Sequence, residues 1–205
     1  MRHKLTFSAT ALFLLTFISC KKDNSSTGGA APAALAGNWS FVSLTAHTQS
    51  TVTETGGGVT DKSVTISQYT TTNNSGLITF SADSMFGKGV GYSVNTVAKG
   101  YEYENGVLLD SVSAPFTFTY PPTTSTAKYQ LIGKDSIYFP GGGGLVSTPG
   151  SGGTPSSIAS GGHFAISGNT MTITVGTTQS TTQSGGGVTA TSQVQGVETV
   201  TLVKQ

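Results

Sequence analysis

Charge is scarce in this chain. Asp, Glu, Lys and Arg together make up only 9% of the 205 residues, and the formal net charge is +1, against roughly 25% charged residues in an ordinary soluble protein. That scarcity argues against a helical bundle or coiled coil, which draws on Glu, Lys, Arg, Ala and Leu. It also argues against a nucleic-acid partner, which would need a basic patch. A single Cys, Cys20, leaves no disulfide within the chain. No window of eleven or more residues carries an apolar repeat of 3.6, so amphipathic helices are not expected. The longest apolar run, Leu5 to Ile18, would span roughly 21 Å as a helix, short of a bilayer core of about 30 Å. Chemical signatures are missing too: there is no Gly-x-Ser-x-Gly, His-Glu-x-x-His, Cys-x-x-Cys, phosphate-binding loop or EF-hand pattern. No catalytic residue, metal ligand or cofactor is therefore assigned, and the chain is read as non-enzymatic. Thr (34), Gly (28) and Ser (26) fill 88 of the 205 positions instead, a strand-and-turn composition for one domain with an appendage.

The first twenty residues read as an address. Arg2, His3 and Lys4 precede the apolar run, which stops at Phe17-Ile18-Ser19-Cys20. That ending resembles the lipobox of bacterial lipoproteins, with Phe17 where Leu is usual. The resemblance implies cleavage between Ser19 and Cys20, acylation of Cys20 (palmitate among the acyl chains) and anchoring in a membrane, with about 0.8 kcal/mol gained per buried CH₂. Lys21-Lys22-Asp23-Asn24 resembles the start of Bacteroidetes lipoproteins and implies an outer-membrane location, on the periplasmic face or at the cell surface. Loss of Arg2 and Lys4 with the signal would leave 8 basic against 9 acidic side chains, a formal charge of −1. Residues 1–19 are thus expected to be a signal peptide, 20–34 a flexible tether and 35–205 a single β domain.

Within that domain short alternating runs recur, among them Trp39–Leu44, Val64–Ile66, Leu77–Phe80, Val90–Val94, Phe116–Tyr120, Met171–Val175 and Val200–Val203. Turn chemistry separates them. Asn105-Gly106 is a type I′ hairpin signal, Ser167-Gly168-Asn169 reads the same way, and Asn73-Asn74-Ser75-Gly76, Ala82-Asp83-Ser84 and Gly133-Lys134-Asp135 are further turn candidates. Nine to eleven strands joined by tight turns predict an all-β, antiparallel up-and-down meander. Closure into a β-barrel would remove its edges, with a β-sandwich as the alternative. Gly87-Lys88-Gly89-Val90-Gly91 reads as a glycine-relieved strand bend, and the Gly/Ser/Pro-rich stretch 141–162 as a long loop. Thr48-Gln49-Ser50-Thr51 before Gly56-Gly57-Gly58 is echoed by Thr178-Gln179-Ser180-Thr181 before Gly185-Gly186-Gly187, which marks two similar hairpin tips.

At the start of the first strand, Leu35-Ala36-Gly37-Asn38-Trp39 resembles the Gly-x-Trp opening of lipocalins and of lipocalin-like Bacteroidetes lipoproteins. Ile78–Asp83 and Gly168–Thr174 are similar to hairpins of the same lipoproteins. The resemblance implies a lipocalin-like barrel closed at one end by Gly37 and Trp39. Lipocalins pack an Arg of the last strand over that Trp. No Arg follows Arg2 here, and Lys204 is the nearest cationic substitute.

Candidate site residues are few. Glu102 and Glu104 would share a strand face roughly 6.5–7 Å apart, near the spacing of an inverting glycosidase pair, yet their place beside Asn105-Gly106 reads as a solvated hairpin tip. His47 and His163 would supply at most half a metal site. Tyr101 and Tyr103 on one strand, and Phe116, Phe118 and Tyr120 on another, would either fill a barrel or line a pocket for an apolar ligand. The functional expectation is a non-enzymatic, lipid-anchored cell-envelope protein that binds a small apolar ligand, with membrane contact through its acyl chains and protein partners unassigned. The alternative is surface adhesion through exposed Thr/Ser faces that contact glycans or proteins.

Overall fold

The computed structural model describes residues 34–142 and 159–205. The expected signal (1–19), nearly all of the tether (20–34), Ser19 and Cys20, and the centre of the 141–162 stretch lie outside the described residues. Every regular element described is a strand: β1 (Gly37–Gly56), β2 (Val59–Thr70), β3 (Thr72–Phe80), β4 (Ser84–Glu104), β5 (Val107–Lys128), β6 (Gln130–Ile132), β7 (Ser136–Phe139), β8 (Ser160–Ser167), β9 (Thr170–Gly185) and β10 (Val188–Lys204). The strands run where β-branched and aromatic residues alternate with small polar ones, and the predicted turns end them. Asn105 and Gly106 have φ of 49° and 82°, the two positive values of a type I′ turn. The echoed glycines behave alike: Gly57-Gly58 joins β1 to β2 and Gly186-Gly187 joins β9 to β10, all four at φ of 60–83°. Two expectations need correction. At the β8–β9 turn only Gly168 takes a positive φ, 57°, which fits the II′ pattern of glycine first. Asn73–Gly76 is no turn but part of β3, where Asn73 (φ 51°) and Gly76 (φ 110°) absorb two register shifts against β4; positive-φ residues suit a bulge as well as a turn. The glycine-relieved bend in β4 is present, with Gly89 at φ 63° and register shifts between Gly87 and Tyr92.

All ten strands form one antiparallel meander sheet. β1 pairs with β10 from Trp39↔Lys204 to Gly56↔Val188, so the first and last strands are neighbours. On its other edge β1 pairs first with β3 and then with β2. These two act as a single line that also pairs with β4, and β4 pairs with β5. From β10 the sheet continues through β9, β8 and β7 to β6. The chain passes from β5 to β6, from one end of this path to the other, through Tyr129 alone. Asp83, in the β3–β4 turn, secures that passage: its carbonyl accepts from the Tyr129 amide at 2.9 Å, and its carboxylate meets Lys128 Nζ at 2.8 Å. The Lys128 hydrogen bond, aided by Ser84, holds the Asp83 carboxyl below its ordinary range.

Apolar packing fills one end. Trp39, Phe80, Met85, Phe139, Ile137, Met171, Ile173 and Leu202 are buried there. The Trp39 indole donates to the Leu35 carbonyl at 2.9 Å, and Lys204 Nζ lies 5.2 Å from the ring centroid. Aromatic contacts run through the core, Phe80 edge-on to Tyr129 and Tyr92 stacked on Tyr120 at 5.3 Å. Beyond the core six strand segments, ordered β5-β4-β2-β1-β10-β9, project side by side to the three glycine-bearing tips. Of all the side chains in this projection only Val64 is buried.

Candidate functional site

Directly paired residues of an antiparallel sheet share a face, so the register assigns each side chain of the projection to the inner face, continuous with the core, or to the outer one. Phe116, Phe118 and Tyr120 stand on the inner face opposite Thr96, Val94 and Tyr92. Tyr120 is buried, while Phe116 and Phe118 are partly buried against the core. Tyr101 and Tyr103 stand on the outer face, paired with Val64 and Lys62, and Lys62 Nζ lies 4.9 Å from the Tyr103 ring centroid. The two aromatic sets that the sequence suggests together are therefore on opposite sides of one sheet. Gly37 and Trp39 sit at the packed end, at the start of β1.

His47 borders a shallow outer-face depression of about 280 Å³ with Gln49, Thr178, Gln195 and Val197. His163 lies instead on β8, its Nδ1 3.1 Å from the Ser136 hydroxyl and 4.0 Å from Asp135. Glu102 and Glu104 are exposed at the β4–β5 tip. Among the described residues no group of three or more His, Cys, Asp or Glu could hold a metal ion.

The inner face carries one residue that does not belong in an apolar interior. Glu198 on β10 is 5% exposed, lies between Ala46 of β1 and Val175 of β9, and its Oε2 makes no hydrogen bond. A buried polar atom without a partner costs about 1–3 kcal/mol, more if charged. Burial pushes the Glu198 carboxyl up to about 7. Tyr69, opposite Ala46 on β2, has its phenol driven well above the ordinary range by its own burial and then by Glu198. Alternation over Glu198, Val200 and Leu202 is the signal in the sequence that places this carboxylate on the core face.

Towards the tips the row next to Glu198 consists of small side chains, with Thr177, Gly196, Thr48 and Ser67 in direct register and Ala98 opposite Ala114 on the neighbouring strands. Thr48 and Ser67 join hydroxyls at 2.7 Å. Farther out come carboxylates: Glu54 pairs with Asp61, Asp61 with Glu104, and Glu102 with Asp110. With Glu198 that places six of the nine acidic residues of the chain on one face, while Lys62 and Lys99 point to the other. Compared with known proteins, the chain matches no family model, no curated protein and no solved structure.

Proposed function

We propose that this is a non-enzymatic, lipid-anchored protein of the cell envelope whose sheet closes into a lipocalin-like barrel and binds a small apolar ligand inside it. The observation that carries the reading is the division of the inner face: solidly packed around Trp39, then open beyond the partly buried Phe116 and Phe118. The barrel has support from the register. A path of paired residues from Leu131 leads through Ile137, Gly162, Val175, Glu198 and Ala46 to Tyr69. From there Thr96, whose hydroxyl bonds to the Gln68 carbonyl, leads to Phe116. Leu131 and Phe116 lie on the same length of chain, β5 running into β6, which is the stagger of a closed sheet. Lys204 over Trp39 supplies the cation that the lipocalin resemblance calls for.

Mass spectrometry of the full chain carrying Cys20→Ser, purified without denaturation, tests the carrier function. A co-purifying small molecule is the expected result, and a bare polypeptide mass counts against it. Palmitate labelling should vanish in the same variant; persistence would remove the lipid anchor from the reading.

Surface adhesion is the second reading, favoured by the outer face. Tyr101, Tyr103 and Ile66 stand there beside hydroxyl pairs such as Thr55–Thr60 at 3.4 Å and Thr182–Thr191 at 3.2 Å.

A further inference from the structure

We infer that the ligand of the inner face is a low-molecular-weight organic amine, its ammonium group paired with the Glu198 carboxylate and its apolar body lying along Ala98, Ala114 and Phe116. This rests on the carrier reading and narrows it to one chemical class. Three features of the inner face converge on such a ligand. First, Glu198 is more than nine-tenths buried and Oε2 is unpartnered; a buried carboxylate is tolerated when a cation or donor satisfies it. Second, the row beyond Glu198 is lined by Gly196, Thr48, Ser67, Ala98 and Ala114, short side chains beside the partly buried Phe116. Third, the charges on this face are of one sign. Glu54, Asp61, Glu102, Glu104 and Asp110 line the approach, and among the described residues of the projection no Lys, Arg or His shares the face with them. A field of one sign draws ligands of the opposite sign and repels fatty acids or phosphates. The apolar neighbours of Glu198, Ala46 and Val175, suit the carbon chain of an organic cation.

Titration calorimetry on the full chain carrying Cys20→Ser tests this with three probes of equal chain length, dodecylamine, dodecan-1-ol and dodecanoate, each below its micelle concentration. At pH 8.5 dodecylamine should bind at least tenfold tighter than the other two. Glu198→Gln keeps the shape and removes the charge, so it should abolish that preference while leaving dodecan-1-ol unchanged.

The wild-type chain provides a second readout. Moving to pH 6 protonates Glu198, whose carboxyl titrates near 7, and amine affinity should fall roughly tenfold. The titratable group that meets Glu198 is Tyr69 on β2, held too high to change in this window, with Tyr92 on β4 acting on Tyr69; β1 and β9 present Ala46 and Val175. Equal binding of all three probes would overturn the amine assignment and leave the carrier reading standing. Binding of none would overturn both. An amine preference that survives Glu198→Gln would shift recognition to the carboxylates at the tips and overturn the role given to Glu198.

Discussion

Glu198 couples folding to pH in the reverse of the usual carboxylate direction. Its carboxyl titrates at about 7 in the folded chain against 4.5 ordinarily, so between those values the folded state holds a proton that the unfolded state has released. The contribution of this group to stability is therefore full below pH 4.5, declines as pH rises through this window, and levels off above 7. The shift corresponds to roughly 3 kcal/mol. Urea unfolding of the wild type should show this loss between pH 5 and 8.5, and Glu198→Gln should remove most of it; a wild type with equal midpoints at both values would contradict the buried, unpaired carboxylate. At the other end, Lys204→Met takes the ammonium from the Trp39 face and should cost about 0.5–1 kcal/mol. Trp39→Ala, which empties the packed end, should cost about 3–5 kcal/mol, read as a fall in the thermal midpoint. The contact between Lys204 and Trp39 was only half legible: the lipocalin resemblance implies an Arg over that Trp, and Lys204 was merely the nearest cationic substitute. The facing of Tyr101 and Tyr103 was not legible. Both faces of the projection are wet, so hydrophobic alternation carries no information about which side is inner, and only the register against Val94 and Phe118 settles it.

Turns and bulges set the register of the strands. Asn105 both adopts positive φ and reaches sideways: its side-chain oxygen accepts from the Thr60 amide at 3.0 Å, and its own amide donates to the Thr60 carbonyl at 2.8 Å. The β4–β5 tip is thereby fastened to the start of β2. Asn105→Gly preserves the backbone but loses the side-chain bond, so a loss of about 1 kcal/mol is expected, whereas Asn105→Val should also disturb the turn. Gly76 is the stricter position. At φ 110° a Cβ there would stand 2.5 Å from Val90 Cα, backbone against backbone where β3 crosses the β4 bend. Gly76→Ala should destabilise by several times the roughly 1 kcal/mol of an ordinary Gly-to-Ala strain, whereas Gly57→Ala at an open tip should show only the φ penalty; equal denaturation midpoints for the two would refute the close approach. The two-residue turns could be read from sequence because Asn-Gly and Gly-Gly pairs have one favoured use between strands. Asn73–Gly76 could not, since the same residue types serve bulges, and what distinguishes them is the opposing glycine-rich stretch of β4.

The whole molecule is two-ended, a filled core at one end and a six-stranded projection at the other. Amide exchange should follow that division, slow at Trp39–Ala46, Met171–Val175 and Val200–Leu202, and fast at the tips around Gly57, Gly106 and Gly186, where hydrogen bonds face water. Uniform protection along β1 would mean that the projection is covered in solution. The first and last strands pair along the length of β1, a long-range relation that short alternating runs and local turn signals do not encode. That same pairing governs when the chain can fold at all. Gln205 bonds to Ser40 across 165 residues, and Trp39 is capped by Lys204, so one edge of β1 stays open until β10 is available. A nascent chain can pair β1 with β2 and β3 early but must hold its other edge unsatisfied until β10 is made, and the large loop closure this demands predicts slow assembly. Emergence of β10 becomes the clock for maturation, and a chain cut before Glu198 would leave Trp39–Ala46 without its partners on that strand.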